Sequence, residues 1–236
     1  MPQNVEALLA AAQSRLQSGD AVAARELLHE AAQAHSLRAA VQLGIWELAG
    51  LGGPADTAAA VRRLRAAAEL GDATACSLYA QLVAAGADGL QRDFGAAVAW
   101  LVRAAAAGDR RAATQLAMLL PADAEGSGDR LALARSAAMA GEPIARAFVA
   151  QWPAAATEWT VDWDRVREHV RLPHERPLPT PVVRSQAPRI AAMHQLFTRD
   201  ECIYVALKGL PLLRPARVAV QDGGSAVNPM RSNDAA

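Results

Sequence analysis

The chain has 236 residues, enough for one large or two small domains, and carries 24 basic and 24 acidic residues for a formal net charge of zero. That balance excludes a global attraction to nucleic acid or acidic lipid. Hydrophobic residues make up 52% but aromatics only 4%, so the apolar content is mostly alanine and leucine, which suits closely packed helices better than sheets.

No stretch of about 18 apolar residues lacks charge, so no membrane span is expected. Residues 1–13 lack a basic segment ahead of a small-residue cleavage site, so no signal peptide is expected and a cytoplasmic location is the default. Cys76 and Cys202 are the only cysteines. Each falls in a helical pattern, which speaks against a disulfide framework. Lys208 is the only lysine. Arginine clusters can grip phosphate, but acidic residues are interspersed throughout, which favours the plainer reading of a GC-rich genome writing Arg for Lys.

One phrase recurs along the first half: Ala31–Ala39 (AAQAHSLRA), Ala67–Ala75 (AAELGDATA), Ala104–Ala112 (AAAAGDRRA) and Ala137–Ala145 (AAMAGEPIA). A period of this length predicts a stacked repeat protein. Upstream of the phrase, Asp20, Ala24, Leu27 and Ala31 recur as Asp56, Ala60, Arg63 and Ala67, and again as Asp93, Ala97, Trp100 and Ala104. The spacing puts the last three positions on one helical face. The leading Asp suits an N-cap, and the Gly at 71, 108 and 141 suits a left-handed helix stop. His35 replaces that glycine in the first copy, which should weaken the stop.

A second helix is expected after each stop. Ala39, Leu43, Gly44 and Trp46 align with Ala75, Tyr79, Ala80 and Leu82, and with Ala112, Leu116, Ala117 and Leu119. The small residues allow helix backbones to approach. Gly50-Leu51-Gly52-Gly53-Pro54 and Gly86-Ala87-Asp88-Gly89 then break the helix. These residues resemble Sel-like repeats, relatives of the tetratricopeptide repeat. Asp93, Ala97, Trp100, Ala104, Ala105, Gly108, Asp109 and Ala112 carry the fullest copy. The last copy is degraded, with Pro121 breaking a helix and Arg130 in the place of Ala97, as suits a terminal repeat. The resemblance implies a mainly α fold, an α-solenoid of stacked helix pairs over residues 4–150, whose concave face binds a protein partner or protein substrate. Trp46, Tyr79 and Trp100 occupy consensus positions that more often build the core than an interface. Arg62, Arg63 and Arg65 read as a solvated helix face.

Residues 151–187 shift in composition. Trp152, Trp159 and Trp163 fall close together and read as packing against the solenoid end. Asp162 is placed to cap a short helix from Trp163 to Leu172, with Val166 and Val170 on one face. Pro173, Pro177, Pro179 and Pro181 then make a stiff, extended linker.

From Pro188 a short α+β pattern begins. Ile190 to Met193 reads as a strand, Thr198-Arg199-Asp200-Glu201 as a capping box opening a helix through about Lys208, and Val218 and Val220 as a further strand before the turn at Asp222–Ser225. Pro188, Arg189, Ile190, Leu196, Phe197, Thr198, Glu201 and Cys202, followed by Arg214, Pro215, Ala216, Val218, Gly223, Gly224, Pro229, Arg231, Ser232 and Asn233, resemble the start of the prolyl 4-hydroxylase-like oxygenases. The resemblance makes residues 188–236 the incomplete opening of such a domain. It implies Fe(II) and 2-oxoglutarate as cofactors of a complete domain, with the metal on a His-x-Asp/Glu pair and a distant His. Two residues after His29, His35, His169, His174 and His194 stand Ala31, Leu37, Arg171, Arg176 and Leu196, none a carboxylate. No catalytic, cofactor-binding or metal-binding residue is therefore assigned in this chain. His169, His174 and Glu175 lie close in sequence but around a proline break that gives no fixed geometry. Asp200 and Glu201 disfavour a thiolate at Cys202, which reads as a buried core residue. Two functions follow: an interaction scaffold carrying an inactive oxygenase segment, or part of an oxygenase whose solenoid recruits the substrate.

Overall fold

A computed structural model of the chain describes residues 2–121, 127–152, 160–172 and 178–209, together with four short strands between 214 and 235. It divides into two units, Met1–Pro173 and His174–Ala236.

The first unit is an array of antiparallel helices: α1 (Pro2–Gln17), α2 (Ala21–Gln33), α3 (Leu37–Ala49), α4 (Thr57–Glu69), α5 (Ala73–Ala85), α6 (Phe94–Ala106), α7 (Arg110–Leu119), α8 (Ser127–Met139) and α9 (Pro143–Val149). The repeated aspartates start the helices as expected: Asp20, Asp56 and Asp93 accept from the N–H of Ala23, Ala59 and Ala96. Ser36, Asp72 and Asp109 cap α3, α5 and α7 in the same way. Gly71, Gly108 and Gly141 sit at φ +89°, +94° and +87°. His35 takes the same left-handed turn at φ 64°, and α2 still ends at Gln33, so the stop holds with a residue that carries a Cβ. Neighbouring geometry imposes the turn there in place of glycine's freedom.

Alanine is what lets the helices approach. The last alanine of each phrase, Ala39, Ala75, Ala112 and Ala145, is fully buried. At Gly44 even a Cβ is too much, for it would stand 2.9 Å from Leu64 Cγ. The loops between α3 and α4 and between α5 and α6 fold back alike: Asp56 N–H donates to Glu47 O at 2.9 Å and Asp93 N–H to Val83 O at 3.3 Å. Among the described residues two apolar clusters result. One joins α1, α2 and α3 around Leu28, Leu43 and Trp46, and the other runs from Val41 and Leu64 onward to Val166.

Helix α7 is ten residues long where α3 and α5 have thirteen. Pro121 follows, as the sequence suggested. The N–H of Arg171 donates to Leu119 O at the shortened end, at 2.8 Å. Arg171 follows α10 (Trp163–His169), which is capped by Asp162 and stops short of the expected Leu172. Val166 is fully buried, and Trp152, Trp163 and Val170 pack on the same core. The tryptophan segment thus packs on the helical array, with Trp159 outside the described residues.

The second unit holds β1 (Val182–Gln186) and β2 (Arg189–Ala192), paired antiparallel, then α11 (Arg199–Gly209). Residues 182–186, expected as linker, form a strand because the stretch after Pro181 is already extended and β2 offers it a partner. The capping box is present: Thr198 N–H donates to Glu201 Oε2 at 2.8 Å, and Glu201 N–H to Thr198 Oγ1 at 3.2 Å. The remaining strands are β3 (Arg214–Pro215), β4 (Arg217–Ala219), β5 (Ser225–Val227) and β6 (Asp234–Ala235), with β4 on β5 and β3 on β6. Val220 and the turn at 222–224 lie outside the described residues. None of residues 178–209 is buried. Cys202 is accordingly exposed, not a core residue, because α11 buries no face within this small unit.

Candidate binding groove

A cavity of about 390 Å³ opens between α1 and α3. On α1, Glu6, Leu9, Ala10, Gln13 and Leu16 recur at spacings of three and four and share one face. On α3, Arg38, Gln42 and Trp46 follow one another at single turns. Leu28 of α2 closes the floor with Trp46, and both are buried. Glu6, Gln13, Arg38 and Gln42 are exposed at the rim, and none bonds to another described side chain. The groove therefore offers an apolar floor, two free carboxamides and one charge of each sign.

Of the described aromatics singled out in the sequence, only Trp46 reaches the groove. Tyr79 is buried, and Trp100 meets it edge-on at 5.3 Å between ring centroids. The Arg103 guanidinium lies 4.3 Å over the Trp100 ring. The arginine run on α4 divides. Arg62 is exposed, and Arg65 pairs with Glu69 along the helix at 2.9 Å. Arg63 departs from the expected solvated face: its Nε and Nη2 donate to Glu47 at 3.1 and 2.9 Å, and Glu47 is only 2% exposed. Arg63 stands in the register of Trp100, and a guanidinium there can serve a buried carboxylate on α3.

The histidines do not converge. His169 Nδ1 lies 2.9 Å from Arg165 O, and His194 Nε2 lies 3.1 Å from Arg184 Nη2. His174 and Glu175 lie outside the described residues. Among the described residues no three His, Cys, Asp or Glu side chains gather as a metal-ligating group. The described histidines do not form the iron set that the oxygenase family uses. Sequence reasoning missed the groove because α1 lies outside the repeated phrase. The signal lay in the stripe from Glu6 to Leu16.

No protein-family model matches this sequence, and neither does any curated protein. Solved structures match its fold. A Sel1 repeat protein from Oxalobacter formigenes superposes with a TM-score of 0.55 and 23% identity, over 69% of each chain. A protective antigen present in uropathogenic Escherichia coli strains, displaying an SLR fold, gives a TM-score of 0.52 and 24% identity, over 70% of this chain and 36% of that one. The first unit is thus mainly α, with the helix-pair stacking of the Sel1 repeat fold. No helix among the described residues is long and apolar enough to cross a membrane.

Proposed function

We propose that this chain is a protein-interaction scaffold that holds a segment of a partner protein in the groove between α1 and α3. The groove itself carries the reading: a buried Leu28–Trp46 floor takes an apolar side chain, while Gln13 and Gln42 have amide donors and acceptors free for a peptide backbone. The Sel1 repeat fold of the array supports it. A cytoplasmic setting belongs to the same reading. The test is selection of binding peptides from a displayed random library on the purified chain. Peptides selected on the wild type should lose about tenfold or more in affinity for Leu9→Arg and for Gln42→Trp, which obstruct the groove at exposed or half-buried positions. Selected peptides that bind both folded variants as well as the wild type would sink the reading.

A finer reading concerns residues 188–236: they are the opening of a prolyl 4-hydroxylase-like domain, and the array recruits its protein substrate. The motif residues from Pro188 to Asn233 favour it, as does the order of strand, box-capped helix and strand. Without a His-x-Asp pair, the 236-residue chain does not itself turn over 2-oxoglutarate. Turnover by the purified chain would contradict that. A coding frame beyond Ala236 that lacks His-x-Asp and a later His would remove the oxygenase.

A further inference from the structure

The turn between α8 and α9 gathers two arginines from different helices. Arg110 opens α7, and its Nη1 donates to Ala140 O at 2.7 Å. Arg146 lies on α9, and its Nε donates to Ala138 O at 3.3 Å. Ala138 lies in the last turn of α8 and Ala140 just follows it, at the helix end where backbone carbonyls carry partial negative charge. The arginines offset that charge and are held in place by it.

Between them lies Gly141. A Cβ at this glycine would stand 3.7 Å from Arg110 Nη1 and 3.9 Å from Arg146 Nη2, so both nitrogens border the space that the missing side chain leaves. Two nearby described carboxylates are committed elsewhere. Glu142 is buried and accepts from Ala145 N–H at 2.7 Å and from the Thr114 hydroxyl at 3.3 Å. Asp109 accepts from Ala112 N–H at 2.7 Å. Arg110, Arg111 and Arg146 are all exposed, and none is ion-paired with a described carboxylate. In the preceding turn the register positions of Arg110 and Arg146 hold Ala73 and Ala113, so the pair is particular to this turn.

We propose that Arg110 and Arg146 form an oxyanion cleft over Gly141 that takes a phosphate monoester. A guanidinium has five N–H donors, and each arginine spends one on its carbonyl. The rest remain for an oxyanion in the forked geometry that guanidinium favours. Two cations with no ion pair to a described carboxylate match a dianion, whereas a carboxylate would neutralise one and leave the other. The carbonyl bonds restrict both side chains before binding, which lowers the ordering cost. The ester can belong to a phosphorylated side chain of a partner protein or to a small phosphate ester. The site is separate from the α1–α3 groove and does not depend on its role.

The experiment titrates the full chain with phenyl phosphate and follows backbone amide shifts. Saturable binding at about millimolar affinity is expected, with the largest shifts at Arg110, Gly141 and Arg146. Arg110→Gln and Arg146→Gln should each weaken binding about tenfold, and Arg111→Gln much less. A phosphoserine peptide that binds more tightly than phenyl phosphate identifies a phosphorylated partner as the source, and equal affinities identify a small ester. Because either glutamine variant can loosen the end of α8, the wild-type shift map decides alone if a variant fails to fold. Absence of saturable binding, shifts centred elsewhere, or equal loss in Arg111→Gln would overturn the cleft.

Discussion

Arg165 of α10 holds the buried carboxylate of Asp129 on α8 in a two-nitrogen grip. Its Nε donates to one oxygen, and its Nη2 donates to Oδ1 at 3.0 Å. The N–H of Asp162 donates to Oδ1 as well, at 3.0 Å, and Asp129 is only 1% exposed. One carboxylate thus fastens the tryptophan-rich segment to the last helices of the array. The Trp152 ring reinforces it, with Phe148 stacked at 5.5 Å between centroids and the Arg130 guanidinium 4.2 Å over its face.

Removing the two partners should have unequal effects. Asp129→Ala should lower stability by about 1–3 kcal/mol, the loss of hydrogen bonds to Arg165 and the Asp162 N–H. Arg165→Met should cost more, because it strands a buried charge instead of a half-exposed one. The double variant should recover part of the Arg165→Met loss. Urea denaturation of the four chains measures this, and additive effects would exclude coupling between the two residues.

The same pair sets an acid dependence. Burial alone would raise the Asp129 carboxyl, but hydrogen bonds from Arg165 and the Asp162 N–H, with the charges of Arg165 and His169, hold it below the ordinary range. The unfolded chain therefore binds more protons in acid, and stability rises with pH through this window. The contribution is complete above the unfolded value of about 3.9 and is lost as the pH falls through the lower folded value. Protection of the Val166 and Val170 amides, relative to their intrinsic exchange rates, should fall as the pH drops through that window. In Asp129→Asn that dependence should vanish, and an unchanged acid profile would contradict the assignment.

Glu47 and Arg63 should behave as one unit. Arg63→Ala leaves the Glu47 carboxylate buried and unpaired, and should lower stability by about 3–5 kcal/mol. The next repeat has Val83 and Trp100 in the matching places. Glu47→Val with Arg63→Trp should therefore be tolerated better than Arg63→Trp alone. A double-mutant cycle by thermal or urea unfolding checks this.

Glycine matters for space at one position and for backbone at another. Gly44→Ala should destabilise by about 1–3 kcal/mol despite its gain in helix propensity, because Leu64 is fully buried and has little room to move. At position 35 the opposite is expected. His35→Gly should stabilise by about 1 kcal/mol by relieving the left-handed strain. Denaturation midpoints of the two variants, moving in opposite directions, are the measurement.

Much of the array was legible because its signals are local. An aspartate reaches an N–H three residues on, and a left-handed stop needs only its own φ, so Asp20, Asp56, Asp93 and Gly108 disclose the helix boundaries directly. The buried alanines share one face by periodicity alone. The exposure of Cys202 is not legible in the same way, because a helical pattern does not reveal whether anything covers it. Strand β1 is not legible either, because prolines mark an extended backbone and say nothing of its pairing with β2.

Where the helices of the repeats start, stop and turn is written locally, since those choices are made within one turn of chain. Which charges are buried, and what forms a groove, depends on how the helices pack. Glu47 meets Arg63 across 16 residues and Asp129 meets Arg165 across 36, departures from the repeated phrase that no local rule pairs. The groove exists only where α1 lies beside α3, and the arginine cleft only where α7 and α9 flank the end of α8. Each depends on distances between helices, which packing sets and no single segment encodes.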